Sequence, residues 1–151
     1  MIGRISTKSP YVLTLDRFKK IMATQADLES DLRFRFPEAF QDGNSSQFTF
    51  RCGQGWFAIV GTLCSLLSEA NGRGTQAPTY LLSAMEKMGT LRILTSHRDS
   101  SANEWIRFAE RHAVVTCEIC GENGRLLYSE GWQRVRCNLH TLSLRLLDSD
   151  E

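Results

Sequence analysis

Four residues in the last quarter of the chain have the types and spacing to grip a metal ion. They are Cys117, Cys120, Cys137 and His140. The first pair stands in Cys117-Glu118-Ile119-Cys120-Gly121, and the second, separated from Cys120 by 16 residues, in Cys137-Asn138-Leu139-His140. Thiolate and imidazole donors suit a zinc ion, and two ligands separated by two residues converge from one tight turn. Gly121 supplies the backbone freedom that such a turn needs as the chain folds back with its amides toward the sulfurs. Four protein ligands fill a tetrahedron, so the expected role is structural: one Zn2+ with no open coordination position.

The elements around these pairs follow from the same spacing. Residues three apart share a helical face, which places Cys137 and His140 at the first turn of a helix continued by Leu142, Leu144, Leu146 and Leu147. Between the pairs, Arg125 to Ser129 and Gln133 to Arg136 can pair as a hairpin across Glu130-Gly131. A knuckle, a hairpin and a ligand-bearing helix make a treble-clef-like zinc module over residues 114–151. A redox dithiol, the other reading of Cys-x-x-Cys, would open a helix after a buried strand. Here a glycine and a hairpin follow instead.

Upstream, Asp16 to Ala39 carries apolar residues at helical spacing (Phe18, Ile21, Met22, Leu28, Leu32), with Asp16 as the cap and Pro37 as the break. Phe48-Thr49-Phe50 predicts a short strand. After Gly53-Gln54-Gly55, the stripe Trp56, Phe57, Ile59, Val60, Leu63, Cys64, Leu66 and Leu67 predicts a buried helix ending at Asn71-Gly72. Cys64 on that stripe reads as a core residue, and Cys52 as a free thiol. Thr79 to Met88 and Thr90 to Thr95 read as a hairpin turning near Gly89, although the first segment also satisfies a helical period. Ser101 to His112 predicts a helix capped by Ser100 or Ser101, with Glu104 closing a capping box. The resulting expectation is an α+β fold: a small antiparallel sheet, two or three helices, and the zinc module. Residues 1–36 form an N-terminal arm and helix, 37–113 the α+β core, and 114–151 the module packed on it.

Composition narrows the function classes. With 18 basic and 17 acidic side chains the net charge is +1, which gives no long-range pull toward nucleic acid or acidic membrane. Any polyanion surface has to arise from local clustering. Arginines outnumber lysines 14 to 4, and no lysine follows Lys87, so positive charge in the later half is carried by planar groups suited to carboxylate or phosphate. Five cysteines is an odd number, and four of the five positions do not look like a disulfide framework. No leader-like segment or apolar run of membrane length stands out, so a cytoplasmic protein with no membrane partner is expected.

His97, in Ser96-His97-Arg98-Asp99, is a conceivable general base, but no nucleophile or second carboxylate is arranged with it in sequence. His112 reads as a helix C-terminal residue favoured by the dipole. Arg125, Arg134 and Arg136 on the hairpin, with Trp132 beside its turn, are the candidate partner-binding residues. They suit a protein surface, or nucleic acid if Trp132 stacks on a base. Glu118, Glu122 and Glu130 in the same module weigh against nucleic acid.

Gly55-Trp56-Phe57, Leu63-Cys64, Glu86-Lys87-Met88-Gly89-Thr90-Leu91-Arg92, Cys117-x-x-Cys120-Gly121, Gly131-Trp132 and Cys137-x-x-His140 together resemble a family of small proteins encoded by tailed phages and prophages. The resemblance covers residues 37 to 142 and carries over no catalytic residue. It implies an accessory protein made in the cytoplasm of a bacterial host. The leading expectation is therefore a non-enzymatic zinc protein that binds a host protein or complex, as an inhibitor of a host defence system for example. The alternative is a nucleic-acid-binding regulator. A nuclease of the HNH type, also built on a treble clef, ranks last because the 125–136 hairpin lacks the histidine that would activate water.

Overall fold

The computed structural model describes residues 24–41, 48–129 and 131–141. Among the described residues, three helices of more than two turns, α1 (Gln25–Arg35), α2 (Phe57–Arg73) and α3 (Ser100–Ala113), accompany five strands: β1 (Thr49–Arg51), β2 (Leu81–Lys87), β3 (Thr90–Thr95), β4 (Arg125–Ser129) and β5 (Trp132–Arg136). The fold is α+β, as the sequence predicts. None of the described helices is long and apolar enough to cross a membrane. The expected N-terminal arm, the Asp16 cap, the helix beyond 141 and the acidic tail lie outside the described residues, but the helix expected to run from Asp16 to Ala39 starts only at Gln25, because Thr24 is extended and caps it.

Helix starts follow local chemistry. Thr24 caps α1 reciprocally: its hydroxyl accepts from Asp27 N at 3.2 Å while the Asp27 carboxylate accepts from Thr24 N at 2.9 Å. Pro37 then ends the helix and opens a single 3-10 turn, Pro37–Ala39. At α3 the cap is Asp99, whose carboxylate accepts from Ala102 N at 2.7 Å, in place of the expected Ser100 or Ser101. An aspartate one residue earlier offers a charged acceptor to the same amides and wins. α2 runs to Arg73, past the expected stop, because Gly74 adopts the left-handed cap conformation (φ 65°).

The three-stranded sheet has the order β1-β2-β3 and is mixed, where a purely antiparallel sheet was expected. β2 and β3 form the expected hairpin, but β1 lies parallel to β2, with Thr49, Phe50 and Arg51 opposite Ser83, Ala84 and Met85. The physical reason is the crossover: α2 intervenes between β1 and β2 and returns the chain to the same end of the sheet. The β2–β3 turn places Met88 (φ 51°) and Gly89 (φ 75°) in the left-handed region, the backbone of a tight two-residue hairpin.

Both edges of this sheet are plugged by helix or loop side chains. At β1, Glu29 accepts from Phe50 N at 2.7 Å and Arg33 donates to Phe48 O at 3.1 Å. At β3, Glu110 accepts from Ile93 N at 3.1 Å and Arg98 donates to Ile93 O at 2.8 Å.

One buried cluster joins Leu28 and Leu32 of α1, Phe50 of β1, Trp56, Val60, Leu63, Cys64 and Leu67 of the α2 segment, Ala84, Leu91 and Ile93 of the sheet, Ile106 of α3, and Val135 of β5. Cys64 is a core residue, as its place on the stripe predicts, and Cys52 is buried too. Apolar burial in this cluster is the main force holding the helices against the sheet.

Candidate metal centre

The candidate ligand atoms are delivered by two short backbone devices. The first is a knuckle formed after α3. Cys117 N donates to Glu122 O at 2.7 Å, Gly121 N to Cys117 O at 2.9 Å, and Gly124 N to Val115 O at 2.8 Å, closing the loop on itself. Gly121 turns the chain at φ 81°, a conformation that disfavours a side chain. The second device is the turn of helix at 138–141, where Thr141 donates to Cys137 O through both its N–H (3.0 Å) and its hydroxyl (2.8 Å). Between them β4 and β5 pair antiparallel from Arg125↔Arg136 to Ser129↔Trp132, as expected from the sequence.

Cys117, Cys120, Cys137 and His140 converge so that their ligand atoms all lie within 4.8 Å of one another. Cys120 Sγ is 3.7 Å from Cys137 Sγ, and His140 Nδ1 is 3.5 Å from Cys117 Sγ and 3.2 Å from Cys137 Sγ. A tetrahedral ion with Zn–S and Zn–N bonds of ordinary length has edges of about 3.8 Å between sulfurs and about 3.6 Å between sulfur and nitrogen. The four residues therefore fit one metal ion.

The electrostatics suit a cation as well. Burial opposes ionisation of Cys117, but the backbone N–H groups of Cys120, Cys137 and Ile119 aimed at its sulfur outweigh burial and bring the thiol down to about 6. Burial pushes Cys120 up to about 11, and its cysteine neighbours, the charge of Cys117 included, add to that. One thiolate is welcome and a second is resisted, which is the imbalance that a divalent cation among the sulfurs removes.

The knuckle docks on the core by main chain against main chain. Gly55 N donates to Glu118 O at 2.8 Å. A Cβ on Gly53 would stand 2.0 Å from Glu118 O, and one on Gly55 2.0 Å from Cys117 O, so no side chain fits at either position. The next residue, Trp56, is fully buried and its indole Nε1 donates to Thr116 O at 2.8 Å. From the sequence, Gly53-Gln54-Gly55 reads as a connector before a helix. The spaced glycines ahead of a tryptophan are the visible signal, but the partner they touch lies 60 or more residues away and no local rule names it.

The candidate partner-binding residues are placed unevenly. Arg136 is buried and ion-paired with the equally buried Glu118. Arg134 reaches Glu86 of β2 at 2.9 Å and Glu118 at 3.6 Å, tying the metal hairpin to the three-stranded sheet. These two guanidinium groups serve contacts inside the protein. Arg125 is exposed, and Trp132 is partly buried at the hairpin end. Glu86 and Glu118, which read in the sequence as ordinary acids, are thus the counterions that fix the module. Gly89 completes the contact, because a Cβ there would lie 2.7 Å from Leu126 Cδ1 and 2.9 Å from the Gln133 carbonyl carbon.

His97 has no carboxylate against its ring among the contacts of the described residues; its Nε2 is 3.1 Å from the Thr79 hydroxyl. His112 sits in the last turn of α3, where its carbonyl accepts from Thr116 Oγ1 at 2.8 Å.

None of the protein-family models, curated proteins or solved structures compared with the chain matches it.

Proposed function

We propose that the chain is a zinc-stabilised binding protein of the phage accessory type, working in the bacterial cytoplasm on a host protein or complex, such as a component of a defence system. The observation that carries this reading is the use of the metal site. Three cysteines and one histidine complete a tetrahedral donor set, and the knuckle that holds two of them is fused to the core through Gly53, Gly55 and Trp56. Zinc so held shapes the fold and has no open position for a substrate. Chemistry at the metal is then not the function, and a shaped surface is.

The nucleic-acid reading loses support from the ion pairs. Two of the three hairpin arginines, Arg134 and Arg136, are engaged by Glu86 and Glu118. The test couples metal analysis with capture. Purified protein should carry one zinc per chain, and tagged protein should retain a stoichiometric bacterial protein from lysate. Retention of nucleic acid in place of protein, with affinity falling steeply as salt rises, would sink the reading.

A further inference from the structure

Strand alternation gives the three-stranded sheet two chemically different faces. Phe50, Ala84, Leu91 and Ile93 point into the core. On the opposite face, register aligns Arg51, Met85 and Arg92 in one cross-strand row and Thr49, Ser83 and Leu94 in the next, with Lys87 at the end of β2. Arg51, Lys87, Arg92 and Leu94 are all exposed, Leu94 at 55% of its surface. Neither Arg51 nor Lys87 has a carboxylate within ion-pair distance among the described residues, and the nearest to Arg92 is Glu110 at a long 3.8 Å. A chain of net charge +1 therefore gathers three exposed cations and an exposed leucine on one face, around a partly buried Met85 and a buried Ser83 whose hydroxyl has no partner among the described residues.

A second observation lies at the end of the same strands. Met88 holds φ 51° with its side chain 66% exposed. That position of a two-residue hairpin favours asparagine or glycine, and a largely exposed methionine there sacrifices stability for little burial. Strained, exposed residues of this kind cluster at binding sites.

We propose that this sheet face docks an acidic protein segment with an apolar residue at its centre. The inference rests on the partner-binding reading above and names the partner's chemistry. Arg51 and Arg92 stand two strands apart, about 10 Å, a spacing that lets each guanidinium take a separate carboxylate while the partner's apolar side chain meets Met85 between them and Leu94 in the next row. Arginine and methionine are enriched at protein interfaces. The register positions of this face hold no aromatic ring on which a base would stack, which favours protein over nucleic acid.

The probe is a short synthetic peptide in which aspartates and glutamates alternate with leucines, titrated into the zinc-loaded full chain beside a single-stranded and a duplex oligonucleotide. Saturable binding of the peptide, weakened roughly tenfold or more in R51E/R92E, is the expected result. Deuterium uptake should fall across 49–51, 83–87 and 90–95 on binding. A charge-swapped peptide with lysines should recover affinity for R51E/R92E, which also shows that the variant is folded. Met88→Asn should raise the thermal midpoint by about 2–4 °C and weaken the peptide. Tighter binding of either oligonucleotide, or peptide binding indifferent to R51E/R92E, overturns the proposal. A bacterial protein captured equally by wild type and R51E/R92E overturns this face and leaves the broader reading standing; capture of none by either removes that reading itself.

Discussion

The Cα of Gly55 lies so close beneath Cys117 that a methyl group added to it would sit 2.0 Å from the Cys117 carbonyl oxygen. The obstacle is main chain and cannot rotate away. Gly55→Ala should therefore destabilise the fold by about 3 kcal/mol or more, in the upper range of overpacking effects, and should lower metal affinity at the same time. Gly72→Ala, where nothing stands near the new Cβ, is the matched control and should be neutral or mildly stabilising. Equal thermal midpoints for the two variants would refute the docking described.

Chelation should separate the knuckle from the core. Structural zinc in comparable sites contributes about 10–16 kcal/mol of apparent binding at neutral pH. Stripping it is expected to expose amides 115–124 and 131–141 to exchange and to shift Trp56 emission to the red as its bond to Thr116 loosens. Cys117→Ser should mimic chelation, whereas Cys64→Ala should keep the metal. Full protection of the knuckle in metal-free protein would contradict the assignment.

Alkaline pH should weaken the fold through two buried thiols. Burial pushes Cys52 to about 12, helped by the charges of Glu118 and Glu86, and pushes Cys64 to about 12 despite Arg35. In the unfolded chain a thiol ionises near its ordinary value of 9.0. The native state therefore keeps protons that the unfolded state sheds, and stability falls as pH rises from 9 toward 12. The slope is about 1.4 kcal/mol per pH unit for each thiol. Urea unfolding at mildly and strongly alkaline pH should show Cys64→Ala losing about one such slope less than wild type.

Removing Arg136 should harm stability more than its single ion pair suggests. Arg136→Ala leaves Glu118 buried with only the longer Arg134 contact, and stripping one partner from a buried pair costs about 3–5 kcal/mol. Arg125→Ala, on an exposed neighbour, should change stability by about 0.5 kcal/mol or less. If the two are alike, Glu118 is not held as described.

The convergence of Cys117, Cys120, Cys137 and His140 was legible in the sequence because its grammar is local: two pairs, each spaced by two residues, with Gly121 after one. The α2 stripe and the β2–β3 hairpin were legible for the same reason. Three things were not. Parallel pairing of β1 with β2 depends on where α2 delivers the chain, which periodicity does not record. The cap at α3 fell to Asp99 because several adjacent residues could serve and only geometry ranks them. The fates of Arg134 and Arg136 were hidden because their counterions are set by a fold-level contact, Glu86 coming from another sheet and Glu118 from inside the knuckle. Charge in a sequence says what a residue can bind, and packing decides what it does bind.

Glu29 and Arg33 at one margin of the three-stranded sheet, and Glu110 and Arg98 at the other, occupy the main-chain donors and acceptors that an incoming strand would use. Such stoppers deny self-templating along those margins. An extended segment that met this sheet would find Phe48 O, Phe50 N and both main-chain groups of Ile93 already engaged, so any recognition there would fall to side chains, where a single substitution would retune it.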